Sequence, residues 1–165
     1  MLIGMYLAAI VLANLSIVAF GPSASILNAF LFIGLDLTAR DALHEKWHGN
    51  HLVRNMALLI ASGSVLSGLL NYNAIPIAIA SFIAFAASAT VDTVVYSWLE
   101  KRSRFVKVNG SNVLSGAVDS VVFPLLAFGW PPLWGIMLGE FVAKVVGGLA
   151  WSYILRKRIP QIKQA

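Results

Sequence analysis

An all-α, polytopic membrane protein is the fold class this sequence predicts, and three observations predict it. Of 165 residues, 59% are hydrophobic and 12% charged, whereas soluble domains carry about a quarter charged residues. Near-continuous apolar runs of about 20 residues recur, the length that crosses a hydrocarbon core about 30 Å thick. The Lys and Arg residues gather in alternate connections between those runs, as membrane topology requires. A mean hydropathy of +0.80 agrees. No hydrophilic stretch is long enough to fold alone, so residues 1–165 read as a single transmembrane domain. The chain has no cysteine, which excludes disulfides, thiolate metal sites and cysteine nucleophiles.

Gly, Pro, Asn and charge clusters divide the chain into six expected transmembrane helices, at about 2–20, 23–45, 52–71, 75–99, 109–128 and 132–156. The first begins at Leu2 with no basic stretch before it. Asn14, Phe20, Gly21 and Pro22 offer no small-x-small cleavage pattern, so a retained helix is expected rather than a signal peptide. It carries Tyr6 and Asn14, and its Ala9 and Ala13 form a small-residue face suited to packing within the chain or in a homodimer. The second contains Asp36, Arg40 and Asp41. In the third, Ser62, Ser64, Ser67 and Gly68 read as helix-packing positions. On the fourth, Ser81, Phe85, Ser88, Asp92 and Tyr96 recur at spacings of three and four, which places them on one face. On the fifth, Asn112, Ser115, Gly116, Asp119 and Phe123 do the same. Pro124 supplies no N–H for the carbonyl of Ser120, a loosening tolerated where helix borders protein or a cavity. The sixth carries Glu140 and Lys144.

The basic residues predict the orientation. Lys46 and Arg54 flank the second connection, Lys101, Arg102, Arg104 and Lys107 occupy the fourth, and Arg156, Lys157, Arg158 and Lys163 follow the sixth helix. The connections at Gly21-Pro22, at Asn71-Tyr72-Asn73 and from Gly129 to Pro132 carry no charge. The positive-inside rule turns this alternation into an N-in, C-in arrangement. It also accounts for the net charge of +5 through topology and anionic lipid contact, so the lipid bilayer rather than nucleic acid is the expected partner. Trp98, Trp130, Trp134 and Trp151 fall near helix ends, where an amphipathic ring favours the headgroup layer.

Five acids and two bases fall inside the apolar runs: Asp36, Asp41, Asp92, Asp119 and Glu140 against Arg40 and Lys144. A charge near the bilayer centre costs at least ~2.5–3.5 kcal/mol, so each needs a partner, a proton or a water-lined cavity. Asp36 and Arg40 are four apart, as are Glu140 and Lys144, so each pair can meet on one helix face with the acid first, the favourable order. Asp92 and Asp119 have no base in their own helices and need a cation from another helix, protonation or a donor-rich ligand. The excess of acid points beyond a structural ion-pair network to a central polar cavity. Carboxylates, Arg, Lys and aromatic rings together suit a small flat ligand with both donors and acceptors, such as a guanine-like ring.

The segment from Phe32 to Arg40, with Asp36-Leu37-Thr38-Ala39-Arg40, resembles the Asp-Leu-Thr-x-Arg signature of VUT-family (vitamin uptake transporter-like) queuosine-precursor transporters. The stretch Ala80 to Phe85, leading to Val91-Asp92 and the basic connection, is similar to that family's fourth span. Ser111 through Asp119 and Ser120, followed by Phe123, resembles its fifth, and Glu140-Phe141-Val142-Ala143-Lys144 resembles an acidic-x3-Lys element of its sixth. Together these cover about two thirds of the chain in order. The resemblance implies import of a 7-deazapurine, 7-cyano-7-deazaguanine first among them, across a bacterial-type cytoplasmic (inner) membrane, with no enzymatic activity and no cofactor. It implies a substrate site in which Asp36, Asp92, Asp119 and Glu140 accept from the ligand's N–H groups and Arg40 and Lys144 balance charge and meet its carbonyl. Asn14, Asn112 and Ser115 add polar contacts, and Phe85, Tyr96 and Phe123 stack.

Three other readings compete. His44-Glu45-Lys46-Trp47-His48 matches H-E-x-x-H, the zinc-binding helix of metalloproteases, with His51 or Asp41 as a third ligand. The motif also fits a water-facing helix end beside a basic turn, and no second protease signature accompanies it. The chain could instead be the substrate-binding subunit of a multi-component vitamin or nucleobase transporter. A channel is the least favoured reading, because the charged stripe has both signs and no filter-like loop is present.

Overall fold

The computed structural model describes residues 2–32, 52–99, 102 and 104–155, and among them every regular element is helical. The fold class is therefore all-α, as the sequence predicts. The helices are α1 (Leu2–Phe20), α2 (helical over 24–32), α3 (Leu52–Leu70), α4 (Ile75–Trp98), α5 (Arg104–Phe128) and α6 (Trp134–Leu155), with a 3₁₀ turn at Tyr72–Ala74 between α3 and α4. The later part of the expected second helix, with Asp36, Arg40, Asp41 and the His44-Glu45-x-x-His48 motif, lies outside the described residues, as does His51.

Local chemistry explains the ends of these helices. α1 has 19 residues, about 28 Å at the α-helical rise, close to the thickness of a hydrocarbon core. It stops at Gly21, whose φ of 79° is open to glycine at little steric cost. The Gly21 N–H closes the helix on the Ile17 carbonyl at 2.8 Å. Gly129, with φ 75°, ends α5 in the same way on the Leu125 carbonyl at 3.1 Å. After α3, the Asn71 side chain accepts from the Asn73 N–H at 3.0 Å and starts the 3₁₀ turn. Pro76 then sits in the first turn of α4, where no intrahelical N–H is required.

α5 begins at Arg104, ahead of the expected 109. Its apolar part starts at Gly110, so hydropathy marks where the helix turns apolar while the helix itself runs further through basic residues. Among the described residues, three helical stretches are long and apolar enough to cross a membrane: Ile3–Phe20, Tyr72–Val95 and Gly110–Phe128. Large apolar side chains such as Leu12, Leu69, Leu138 and Leu149 are exposed along the helices, an arrangement costly in water and natural against lipid tails. Trp98, Trp130 and Trp134, near helix ends, are also exposed.

The α4–α5 pair makes the most extensive contact, α1 packs on α3 and α4, α3 on α4, and α5 on α6. Two apolar clusters hold them together. Tyr6, Met56, Leu59 and Ile60 form one, with Phe82 and Phe85 against it. Ile17, Ile77, Ala80, Ala84 and Phe123 form the other. Ala9 is buried within the chain, so its small-residue face serves internal packing. At Gly63 an added Cβ would stand 2.8 Å from Ile10 Cγ2, so α1 and α3 approach as closely as glycine permits. Polar pins supplement the packing, as is usual where lipid gives no hydrophobic drive between helices. Asn14 donates to Ser67 Oγ at 3.0 Å between α1 and α3. The Asn28 amide donates to Ser16 Oγ at 2.8 Å and to the Ala13 carbonyl at 3.1 Å between α2 and α1. Ser64 Oγ reaches the Ala78 carbonyl of α4 at 3.3 Å. Ser62, expected among the packing positions, is exposed and turns back to the Leu58 carbonyl.

Candidate functional site

Midway along α6, one turn separates Glu140 from Lys144, so both side chains leave the same face of the helix. That face meets α5 where Asp119 and Ser120 stand. Lys144 Nζ donates to Asp119 Oδ2 at 2.6 Å, to Ser120 Oγ at 2.9 Å and to Glu140 Oε2 at 3.3 Å. An ammonium group has three donors, so the described partners use the full set. Arg104 and Lys107 of α5 stand three or more turns before Asp119, so its cation comes from α6, and the pair Glu140–Lys144 forms at the spacing the sequence predicts.

Burial is uneven across the cluster. The side chain of Glu140 is 2% exposed and that of Lys144 13%, whereas Asp119 keeps 29% and forms the accessible rim. Glu140 Oε1 is buried and has no hydrogen-bond partner among the described residues. From α2, Ser25 is buried beside the Glu140 carboxylate, its own hydroxyl hydrogen directed to the Pro22 carbonyl at 2.7 Å. The approach is close because residue 139 is glycine: a Cβ there would lie 2.6 Å from Ile26 Cδ1. On the α5 side Pro124 is fully buried and leaves the Ser120 carbonyl without its intrahelical N–H. The ion pair and the interrupted stretch of α5 therefore coincide.

The remaining expected residues fall into three groups. Asp92 is partly buried on α4. Leu99, just past the end of α4, lies against Gly110 of α5, which sets the register of the pair. Counted from that contact at about 1.5 Å per residue, Asp92 and Asp119 stand at roughly similar depth, about 10 and 14 Å along their helices. Asn112 and Ser115 precede Asp119 on the same face of α5; Ser115 is buried and donates to the Asn112 carbonyl at 3.2 Å. Asn14, Phe85 and Phe123 are engaged elsewhere: Asn14 on Ser67, Phe85 against the Tyr6 cluster, and Phe123 edge-on to Phe128 with ring centroids 5.9 Å apart. Tyr96 follows Asp92 by one turn, but its side chain lies outside the described ones, as do Asp36 and Arg40.

Sequence reasoning passed over Ser25 and the hydroxyl of Ser120. A signal for Ser120 exists in its place beside Asp119 and four residues before Pro124; Ser25, near a helix start, offers none. A groove of about 460 Å³ between α3 and α4, lined by Val65, Gly68, Leu69, Tyr72, Ile75 and Ile79 among others, lies apart from the cluster. It is almost wholly apolar and has no carboxylate or basic group, whereas a polar ligand needs convergent donors and acceptors. The charged cluster is the stronger candidate.

A family model described as "Putative vitamin uptake transporter" matches residues 2–155. No curated protein and no solved structure matches the chain. The family match runs through every helix described above, and three of those helices are long and apolar enough to span a bilayer. The chain is a membrane transporter for a small molecule, and it belongs to the vitamin uptake transporter family.

Proposed function

We propose that this transporter imports a queuosine precursor, a 7-deazapurine such as 7-cyano-7-deazaguanine, across a bacterial-type cytoplasmic membrane, through a polar site centred on Asp119, Glu140 and Lys144. The observation that carries the reading is Lys144 bridging a carboxylate of α5 and a carboxylate of α6. Ionisable groups within membrane helices are expensive to bury and mark substrate or ion pathways. The residue pattern shared with queuosine-precursor transporters supports the ligand class, and the alternating basic connections support six spans with both ends in the cytoplasm.

The chemistry follows from donor and acceptor matching. A deazaguanine presents ring N–H and exocyclic amine donors on one edge and a carbonyl acceptor beside them. Asp119, at the accessible rim, accepts from the donors, and the carbonyl takes a proton donor from Lys144. Since Lys144 already uses all three donors, a ligand must replace one protein acceptor. The contact to Glu140, the longest of the three at 3.3 Å, is the least costly to give up. The described arrangement is then the closed, unloaded state, and loading requires α5 and α6 to part. Asp92, at comparable depth on α4, extends the acceptor set, and the resemblance to queuosine-precursor transporters adds Asp36 and Arg40 to it.

The test is uptake of labelled 7-cyano-7-deazaguanine by cells that cannot make the precursor and express this gene alone. Accumulation is expected with the natural sequence and loss of at least about tenfold with Asp119→Ala or Lys144→Ala, since each removes a charge-assisted bond. Undiminished uptake by either variant overturns the site. Uptake only when partner subunits are supplied favours the binding-subunit reading.

A further inference from the structure

We propose that Glu140 is a proton-binding site of this transporter, holding one proton in the described state and releasing it when Lys144 moves away from Asp119, so that import is coupled to proton entry. The coupling rests on the transport reading above; the proton-holding state does not.

With both carboxylates ionised, Asp119, Glu140 and Lys144 leave one uncompensated negative charge deep among apolar helices, an arrangement that one proton relieves. Distance then shows which oxygen carries it. The contact of 2.6 Å between Lys144 and Asp119 is a charge-assisted pair. The contact of 3.3 Å between Lys144 and Glu140 lies outside the range of such pairs and suits an ammonium beside a neutral carbonyl oxygen. Burial agrees: the carboxyl without a close counter-charge is also the one at 2% exposure, and its Oε1 finds no acceptor or donor among the described residues.

Among the described residues, Lys144 and Asp119 are the charges that act on Glu140. On α6 it faces Lys144, and from α5 Asp119, with Ser120 held by the same ammonium. From α2 it faces Ser25, whose hydrogen goes to Pro22, and the described part of α2 has no charged residue. Asp36 and Arg40, later in the sequence, lie outside the described residues.

Open to the outside, the protonated site takes the ligand while Lys144 stays on Asp119. Once the site has opened to the cytoplasm and the ligand has left, Lys144 swings from Asp119 to Glu140. The Glu140 O–H bond breaks, its electron pair stays on the carboxylate oxygen, and the proton passes to cytoplasmic water. The empty site then reopens outward, Glu140 takes a proton from the outer side, and Lys144 returns to Asp119. One proton enters per ligand.

Two measurements on the full chain in lipid vesicles test this. Infrared spectroscopy at neutral pH should show the carbonyl stretch of a neutral carboxylic acid. Glu140→Gln should remove the band. Asp119→Asn should remove it too, although Glu140 is intact, because Lys144 then has no other carboxylate. Absence of the band in the natural chain, or its survival in Glu140→Gln, overturns the proton-holding state. With labelled 7-cyano-7-deazaguanine and an acid-outside gradient of one pH unit, the natural chain should accumulate the ligand about tenfold and bring it only to equality without a gradient. Glu140→Gln, with slowed exchange, should reach equality at best, and Glu140→Asp should recover accumulation. A ratio indifferent to the gradient, or full accumulation by Glu140→Gln, overturns the coupling. No movement of any deazapurine by the natural chain instead defeats the substrate reading, while the infrared result still decides the protonation of Glu140.

Discussion

Lys144 is the residue on which α5 and α6 depend most. Replacing it with Met leaves Asp119 and Glu140 facing each other without a cation, and removal of one partner from a buried pair costs about 3–5 kcal/mol. The variant Lys144→Met should unfold at correspondingly lower denaturant in detergent. Adding Asp119→Asn should restore part of the loss, because it removes the charge left stranded, so the double variant should be more stable than the single one. Asn14 offers a contrast, since its partner Ser67 is a neutral hydroxyl on another helix. Asn14→Ala and Ser67→Ala should each cost about 0.6–1 kcal/mol, and the double variant little more than either, if the same unfolding assay reads the shared hydrogen bond. At Gly21 an added Cβ meets nothing within 4 Å, so only the backbone opposes a side chain. Gly21→Ala should therefore cost about 1–2 kcal/mol, the penalty of the left-handed conformation.

At the scale of helices, close approach rather than charge sets the spacing of α1 and α3. Gly63→Ala drives a methyl group against Cβ and Cγ2 of Ile10, atoms that no rotamer change removes together. A loss of about 1–3 kcal/mol is expected from such overpacking, and a smaller loss in an Ile10→Ala background. Much of this level was legible in the sequence where the signal is local. Gly21 and Gly129 mark helix ends in the letters themselves, and Glu140 and Lys144 announce their pairing by a spacing of four. That Asp119 needs a foreign cation was also legible. Its donor was not, because Lys144 and Arg40 are equally distant in principle until packing brings one helix alongside. Asn14 and Ser67 illustrate the same limit: one read as a ligand contact and the other as packing, and the structure joins them. The start of α5 at Arg104 escaped because hydropathy detects the apolar stretch and not the helix that carries it.

Across the whole molecule, the exposed apolar residues face outward and the ionisable cluster faces inward, the reverse of a protein built for water. The proposed orientation makes a direct prediction, helped by a chain that has no cysteine. A cysteine placed at Tyr72, which is 81% exposed between α3 and α4, should react with an impermeant maleimide in intact cells. One placed at Arg102, between α4 and α5, should react only after the membrane is opened. The opposite pattern reverses the topology. Motion on this scale has a natural place to begin. Pro124 leaves the ladder of α5 one rung short, a single turn beyond the aspartate that grips Lys144, and helices bend where such a rung is missing. The final stretch of α5 is thus a stiff arm on a soft joint, and the clasp that stops it swinging is fastened right beside that joint.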